Sequence, residues 1–364
     1  MRWPLPWPRK KERDTARLMV SWAGQKLAYL QAELAGDGSY VVTRVGVEEQ
    51  GSDSPQEFQS RLQGLADPNG EVHVMLRPEQ YQLLQIDVPP VPPEELRAAA
   101  RFQIRDMVDT HLDDLTIDVM RLGDGHQKGN SSLYVVVVAN ALIKEITDLA
   151  KALRWPLTVI DIQDTAQRNL QTLQAKTDGT PTAANAALMV VNEHQALLTI
   201  SAQGELFYSR RLELPDGFLS MDWSESLEIF SDDAPEFVPA PEYVPDYSGE
   251  MSFDYSAGAG PSSHSAPLGG QSDRDRAQRL LVEVQRSLDL WDRTWTALPL
   301  SGLRVFAGDR SLDLAAWLSQ EMGQTVGLLE VPPGMPEMQR LNSGELIDCL
   351  PLWGTLQRSL DTSS

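Results

Sequence analysis

Cysteine is almost missing: among 364 residues only Cys349 carries a thiol. A single thiol excludes a disulfide framework and a thiolate metal cluster, and it fits a reducing compartment. Alone, Cys349 reads as an inert core residue. Long apolar runs are missing too. No stretch approaches the roughly 20 residues that cross a bilayer. The longest, Leu133–Ile143, reads as a buried strand running into a helix. Lys and Arg are absent between Leu212 and Asp273, where thirteen acids fall. Removing those thirteen from the net charge of −21 leaves −8. Neither figure supplies the basic face that nucleic acid needs. The phosphate-cradling Gly-x4-Gly-Lys-Ser/Thr does not occur, nor does Gly-x-Gly-x-x-Gly after a strand. His73, His111, His126, His194 and His264 are scattered, with no pair at helical metal spacing.

What is there begins with a basic, aromatic tail, MRWPLPWPRKKER. Prolines stand where a signal peptide needs its apolar stretch, so it does not read as one. Trp3 and Trp7 with Arg9, Lys10 and Lys11 have the composition of a weak tether to an anionic membrane surface. A charged tail that only aids solubility is the alternative.

Arg17–Leu34 alternates apolar residues on both sides of Ala23-Gly24, and Asp37-Gly38 precedes SYVVTRVGV. Three antiparallel strands follow from this. A helix is expected near Pro55–Leu65, then strands at Val72–Leu76 and Tyr81–Val88. Pro89–Pro93 is a rigid break. The helix after it, with acids in its first turn, runs to about Asp109 and puts Leu96, Ala99 or Ala100, Ile104 and Met107 on one face. LYVVVVAN, a helix over Ala141–Leu153 and the strand Leu157–Ile162 read as a βαβ unit with a parallel component. A further helix starts near Asp164.

After a linker the pattern restarts. Ala187–Leu214 reads as three strands, which suggests two related lobes. Asp222–Asp273 is rich in Pro, Ser, Gly and acids. It cannot bury enough apolar surface to offset its ordering entropy and is expected to be a disordered insertion. Its aromatics, Phe237, Tyr243, Tyr247, Phe253 and Tyr255, leave a docking motif open. Asp275–Trp295 carries Leu280, Leu281, Val284, Leu288, Trp291 and Trp295 at helical spacing. The expected organisation is a tail over 1–16, a first lobe over 17–173 and a linker over 174–185. A second lobe over 186–358, interrupted at about 222–273, and a tail over 359–364 complete it.

Several strings resemble the PilM-like proteins of type IV pilus assembly, most closely the MshI group of the mannose-sensitive haemagglutinin pilus. In Gln85–Val108, Val88-Pro89, Pro92, Glu95-Leu96, Ala99 or Ala100, Arg101 and Ile104 match the family's proline-marked break and following helix. Val284, Gln285, Arg286, Ser287, Leu288 and Asp289 resemble its "EI-x-RSLDYY" helix. Leu303–Val326 resembles its last strand-turn-helix unit. The resemblance implies an α/β, actin-like fold of two lobes around a nucleotide cleft, with a subdomain inserted in the first lobe at about 48–140. It also implies a cytoplasmic protein held peripherally at the inner membrane. Its partner would be the cytoplasmic tail of a single-pass inner-membrane pilus protein, with Arg97, Arg101, Phe102 and Ile104 as candidate contact residues. The related cytoplasmic domain of a type II secretion component is a further alternative.

The first phosphate hairpin of that fold normally carries an aspartate and a glycine. Ser21 and Ala23 stand in their places, followed by Gly24. The second reads Val190-Val191-Asn192, again without a carboxylate, and the adenosine loop keeps only Gly308. Phosphate charge then lacks its metal-organising partners. The expectation is a scaffold that does not hydrolyse ATP, with no cofactor. The alternative is an ATP–Mg²⁺ binding switch in the same machine.

Overall fold

The computed structural model describes residues 16–36, 38–122, 132–223, 273–331 and 337–358. The first sheet opens with three antiparallel strands, β1 (Arg17–Ala23), β2 (Lys26–Leu34) and β3 (Tyr40–Glu49). Helix α1 (Pro55–Gln63) follows, capped by Ser54 and Glu57 in a reciprocal box with proline in its first turn. Strand β4 (Glu71–Leu76) then lies parallel to β1. The fifth strand, β8 (Leu157–Ile162), pairs parallel to β4, giving the order β3-β2-β1-β4-β8.

The chain leaves this sheet between its fourth and fifth strands. Strands β5 (Gln82–Asp87), β6 (Leu115–Arg121) and β7 (Ser132–Ala139) form a separate antiparallel sheet, β5-β7-β6. Helix α2 (Leu96–Gln103) covers one face of it through Leu96 and Ala100, and Ile104 just beyond joins that core. The subdomain therefore begins at residue 82. The expected start near 48 fails because β4 is apolar on both faces and is consumed by the main sheet. The expected βαβ unit is corrected as well. Helix α3 (Asn140–Leu153) does join β7 to β8, but those strands belong to different sheets. The parallel pairs are β1 with β4 and β4 with β8. The helix expected from Pro92 to Asp109 is broken into α2 flanked by single 3-10 turns, and Met107 is exposed rather than on the packed face.

Helix α4 (Gln163–Thr177) carries the chain into the second lobe, so the connection is six residues and not 174–185. Strands β9 (Ala184–Asn192), β10 (Gln195–Ala202) and β11 (Glu205–Glu213) repeat the antiparallel opening. The turn at Gln203-Gly204 has positive φ at both residues, as a two-residue hairpin requires. Trp223 is buried against Phe218 and Trp317, so the second-lobe core reaches past residue 222. The rest of the acidic stretch lies outside the described residues. Helix α5 (Asp273–Thr294), β12 (Leu300–Phe306), α6 (Ser311–Met322), β13 (Val326–Leu328) and α7 (Ser343–Leu356) complete the lobe. Its sheet order is β11-β10-β9-β12-β13, with β9, β12 and β13 parallel. The two sheets share one topology, and the restart read in the sequence is a true structural repeat.

Helices α4 and α7 occupy equivalent places, each following the last strand of its sheet, and they pack together between the lobes. Met19, Leu30 and Met75 of the first sheet and Ala187, Met189 and Phe306 of the second close on them. Two devices make that packing possible. Gly354 lets the helices touch, since a Cβ there would lie 2.1 Å from Ala166 O. Gln167 and Gln171 of α4 donate to Ala187 O and Leu197 O, and to Asn185 O and Thr199 O, at 2.9–3.2 Å. A buried polar stripe so paired loses little to desolvation and fixes the helix on its sheet.

Candidate functional site: the interlobe mouth and a two-edged groove

The carboxyl ends of parallel strands are where open α/β sheets gather their ligands. Here the ends of β1 and β4 meet those of β9 and β12. Ser21 is buried near the end of β1, and its hydroxyl has no hydrogen-bond partner among the described residues. Ala23 closes β1, and Gly24 makes the turn at φ +58°. Trp22 folds back: its indole N–H donates to Gly24 O at 2.6 Å, and its ring meets Phe58 of α1 edge-on. On the other side Val190 is a core residue. Asn192 uses its side-chain oxygen to accept from His194 N–H at 2.9 Å, an ordinary turn contact. Gly308, at φ +61°, lies against Ser343 at the start of α7. A Cβ at 308 would stand 2.1 Å from Ser343 Oγ, which also bonds Asp309.

One residue that the sequence did not single out spans this mouth. Arg77 follows β4 and is buried. Its guanidinium donates to Asp348 of α7 at 2.5 Å, to Val191 O at the end of β9 at 2.9 Å, and to Glu79 at 3.0 Å. One cation thus joins both sheets and a central helix at the interlobe mouth. Gln80, three residues on, donates to Trp22 O at 3.1 Å. Tyr81 then donates to Asp164 at the start of α4, which also accepts from Ser209 of β11. Arg211 donates to Tyr81 O at 2.8 Å and lies over the Tyr81 ring. Burial and the neighbouring Asp164 charge hold the Tyr81 phenol well above its ordinary range, so it stays a donor. The short segment from Arg77 to Tyr81 is therefore a lobe-to-lobe brace.

A second site lies between the subdomain and the first lobe. Among the described residues strand β6 pairs only with β7, and β8 only with β4. Both free edges flank one groove of about 760 Å³. Alternation along β6 sends Leu115 and Ile117 toward α2, leaving Thr116, Asp118 and Met120 for the groove. Val136, Val138, Ile143 and Ile160 supply apolar walls. Asp161, Thr165 and Arg358 supply a polar end, with Asp161 accepting from Thr165 at 2.5 Å and from Arg358 at 2.9 Å. The sequence signal for this end was available: Asp161 is the one charge inside the apolar run LTVIDI.

The partner-surface candidates fall elsewhere. Arg97, Arg101 and Phe102 sit on α2, across the subdomain sheet from the groove. Arg97 nevertheless reaches the groove-lining Asp118 at 2.8 Å, whereas Arg101 holds Leu112 O at 2.6 Å and Asp113 at 3.0 Å. Phe102 is 71% exposed with Arg105 over its ring. Ile104 is fully buried in the subdomain core and cannot be a contact residue, because its side chain completes the apolar face begun by Leu96 and Ala100. Trp3, Trp7, Arg9, Lys10 and Lys11 lie outside the described residues. Among the described residues no helix is long and apolar enough to cross a membrane, and no cluster of three or more His, Cys, Asp or Glu is placed to hold a metal.

Two sheets of one topology meeting at their carboxyl ends, two central helices between them and an insert in the first lobe define an actin-like α/β fold. The fold matches a solved PilM–PilN type IV pilus biogenesis complex over 94% of this chain and 96% of that one, at a TM-score of 0.58 and 15% identity. A Bacteroides thetaiotaomicron protein with an actin-like ATPase fold and unknown function covers 92% of this chain and 96% of its own, at a TM-score of 0.44 and 9% identity. The cytoplasmic domain of EpsL, an inner-membrane component of the Vibrio cholerae type II secretion system, covers 58% of this chain and 77% of its own, at 0.39 and 16%. The last two scores are too low to add to the assignment. No protein-family model matches the chain, and no curated protein matches it in sequence.

Proposed function

We propose that this chain is a non-hydrolysing scaffold of a type IV pilus assembly machine, of the MshI kind. It holds the extended cytoplasmic tail of a single-pass inner-membrane partner in the groove between β6 and β8. The observation that carries the reading is the pair of free sheet edges facing one groove. An extended peptide can take main-chain hydrogen bonds from either edge while its alternate side chains reach the apolar wall or the Asp161–Arg358 end. The likeness to the PilM–PilN complex supports the pilus setting through fold, and the MshI assignment rests on the strings quoted above. The absence of hydrolysis is supported by Ser21 and Val190 in the carboxylate positions and by Arg77 between the lobes.

The test uses peptides covering the cytoplasmic tails of single-pass inner-membrane proteins encoded beside this gene, titrated against the full chain by fluorescence anisotropy. Saturable binding at micromolar concentration is expected. Val136→Glu in the groove weakens it at least about tenfold, the effect of one buried unpaired charge, and Phe102→Ala on the far face leaves it unchanged. No binding at several hundred micromolar, or loss with Phe102→Ala and not with Val136→Glu, overturns the reading.

A further inference from the structure

A second groove, of about 600 Å³, opens on the other side of the first lobe. Tyr40, Val41 and Val42 at the start of β3 form one wall. Leu173 of α4 and Trp353 and Leu356 of α7 form the other, and Glu330 stands at the rim. The lining is aromatic and aliphatic, and Val41 leaves 54% of its surface open. The Trp353 ring is nine-tenths buried, yet its indole N–H has no acceptor among the described residues.

The start of the described chain fixes what can reach this groove. Arg17 is buried, its guanidinium lies 4.8 Å over the Tyr40 ring, and Glu71 pairs with it at 3.2 Å. The segment before residue 16 therefore joins the fold at the groove's rim. That segment reads Trp3-Pro4-Leu5-Pro6-Trp7-Pro8, with proline at every second position. Proline alternation favours the extended polyproline conformation, which makes no internal hydrogen bonds and whose ordering costs little entropy. Aromatic-lined grooves bind such strands, using ring faces for the prolines and indole N–H groups for the carbonyls. Residues 9–16 can span up to about 26 Å when extended, ample for a rim that begins at Tyr40.

We propose that the proline-alternating segment Trp3–Pro8 of this chain's own N-terminus docks in the groove between β3, α4 and α7. Trp3 or Trp7 covers Val41, a carbonyl meets the Trp353 indole after a small shift of the ring, and the basic run Arg9–Lys11 passes the Glu330 rim. The docking shares one lining residue, Arg358, with the peptide groove at β6 and β8, and its other contacts are separate. It competes with the membrane-tether reading of the same tail, because the aromatic residues cannot serve both at once.

The test places Leu5→Cys with Val41→Cys in the full chain. Native Cys349 is buried, and burial pushes its thiol up, so it stays silent. Mild oxidation is expected to give a cross-linked monomer. A control pair of Leu5→Cys with Leu312→Cys, on an exposed site of the second lobe, gives none. Hydrogen exchange is then compared between the native chain and Trp3→Ala/Trp7→Ala. A short tether supplies about a millimolar effective concentration, so a contact of roughly 0.1 mM intrinsic affinity slows exchange at 38–42 and 353–357 about tenfold, and the variant loses that protection. Equal exchange in both proteins overturns the proposal. A cross-linked dimer in place of the monomer overturns it in favour of a second copy. Groove protection unaffected by the variant, together with loss of binding to phosphatidylglycerol vesicles, overturns it in favour of the membrane.

Discussion

Substituting Gly354 by alanine tests the contact on which the two lobes close. A Cβ built there stands 2.1 Å from Ala166 O, 2.7 Å from Ala166 C and 3.0 Å from Leu170 Cγ. The first two neighbours are backbone, so no side-chain rotation relieves them. Helices α4 and α7 must part by about 1 Å, and a gap of that size forfeits up to about half the dispersion energy of the atoms across it. Overpacking of this kind costs about 1–3 kcal/mol. The Asn169 donation to Gly354 O, 2.9 Å long, is lost with it for about another 1 kcal/mol. Alanine returns about 1 kcal/mol of helix propensity. The net is a loss of about 1–3 kcal/mol, which lowers the melting temperature by roughly 1–4 °C for a chain of this size. Gly344→Ala is the control in the same helix, since its Cβ would meet only Asn342 Oδ1 at an ordinary 3.5 Å. Thermal unfolding followed by circular dichroism should show Gly344→Ala unchanged or slightly raised and Gly354→Ala clearly lowered. Equal melting of Gly354→Ala and the native chain would refute the claim that these helices touch through this residue.

Arg77→Met keeps the bulk of the side chain but leaves Asp348 and Val191 O without their donor. A loss of about 2–3 kcal/mol in urea unfolding is expected, with a coupling of at least about 1 kcal/mol to Asp348→Asn in a double-mutant cycle; additive effects would show that the brace is not a unit. Ser21→Asp places a carboxylate in a buried site and should cost about 2 kcal/mol or more without creating ATP affinity. Labelled ATP with Mg²⁺ should show no saturable binding to the native chain up to about 1 mM, and micromolar binding would overturn the expectation of no cofactor in favour of an ATP-binding switch. His73 is buried with both ring nitrogens unpartnered; desolvation chiefly, then Arg17, hold its pKa below 6.5, against Glu71 and Asp161, which raise it. The unfolded chain thus binds the proton more readily. Stability should be full above pH 6.5 and fall as pH drops from there toward the lower folded value. His73→Gln should flatten that slope in melts between pH 7.5 and 5, and an unchanged slope would assign it to other groups.

The strands were legible because their apolar residues alternate or run unbroken, and the repeat of the opening hairpins was legible for the same reason. What escaped was membership. VHVML and LYVVVVA look alike as apolar runs, yet one enters the main sheet and the other the subdomain, a choice made by long-range pairing and not by local pattern. The buried face of α4 escaped too, since nothing local marks Gln163, Gln167 and Gln171 as buried until the carbonyls of β9 and β10 are in view. Ile104 was misread because one helical face supplied both the core and the suspected contacts. Arg77 gave no signal: a lone arginine before a proline is ordinary until Val191 and Asp348 arrive from 114 and 271 residues away.

The location of that brace has a mechanical meaning. Arg77, Gln80 and Tyr81 occupy the only stretch of chain between the fourth strand of the main sheet and the first strand of the subdomain. The subdomain hangs from the rest of the molecule by two stems, and this one is clamped by both lobes at once. A load applied to β6 would travel down the stem into the clamp and bear on the angle between the lobes. The stem is then a lever whose fulcrum is a buried guanidinium.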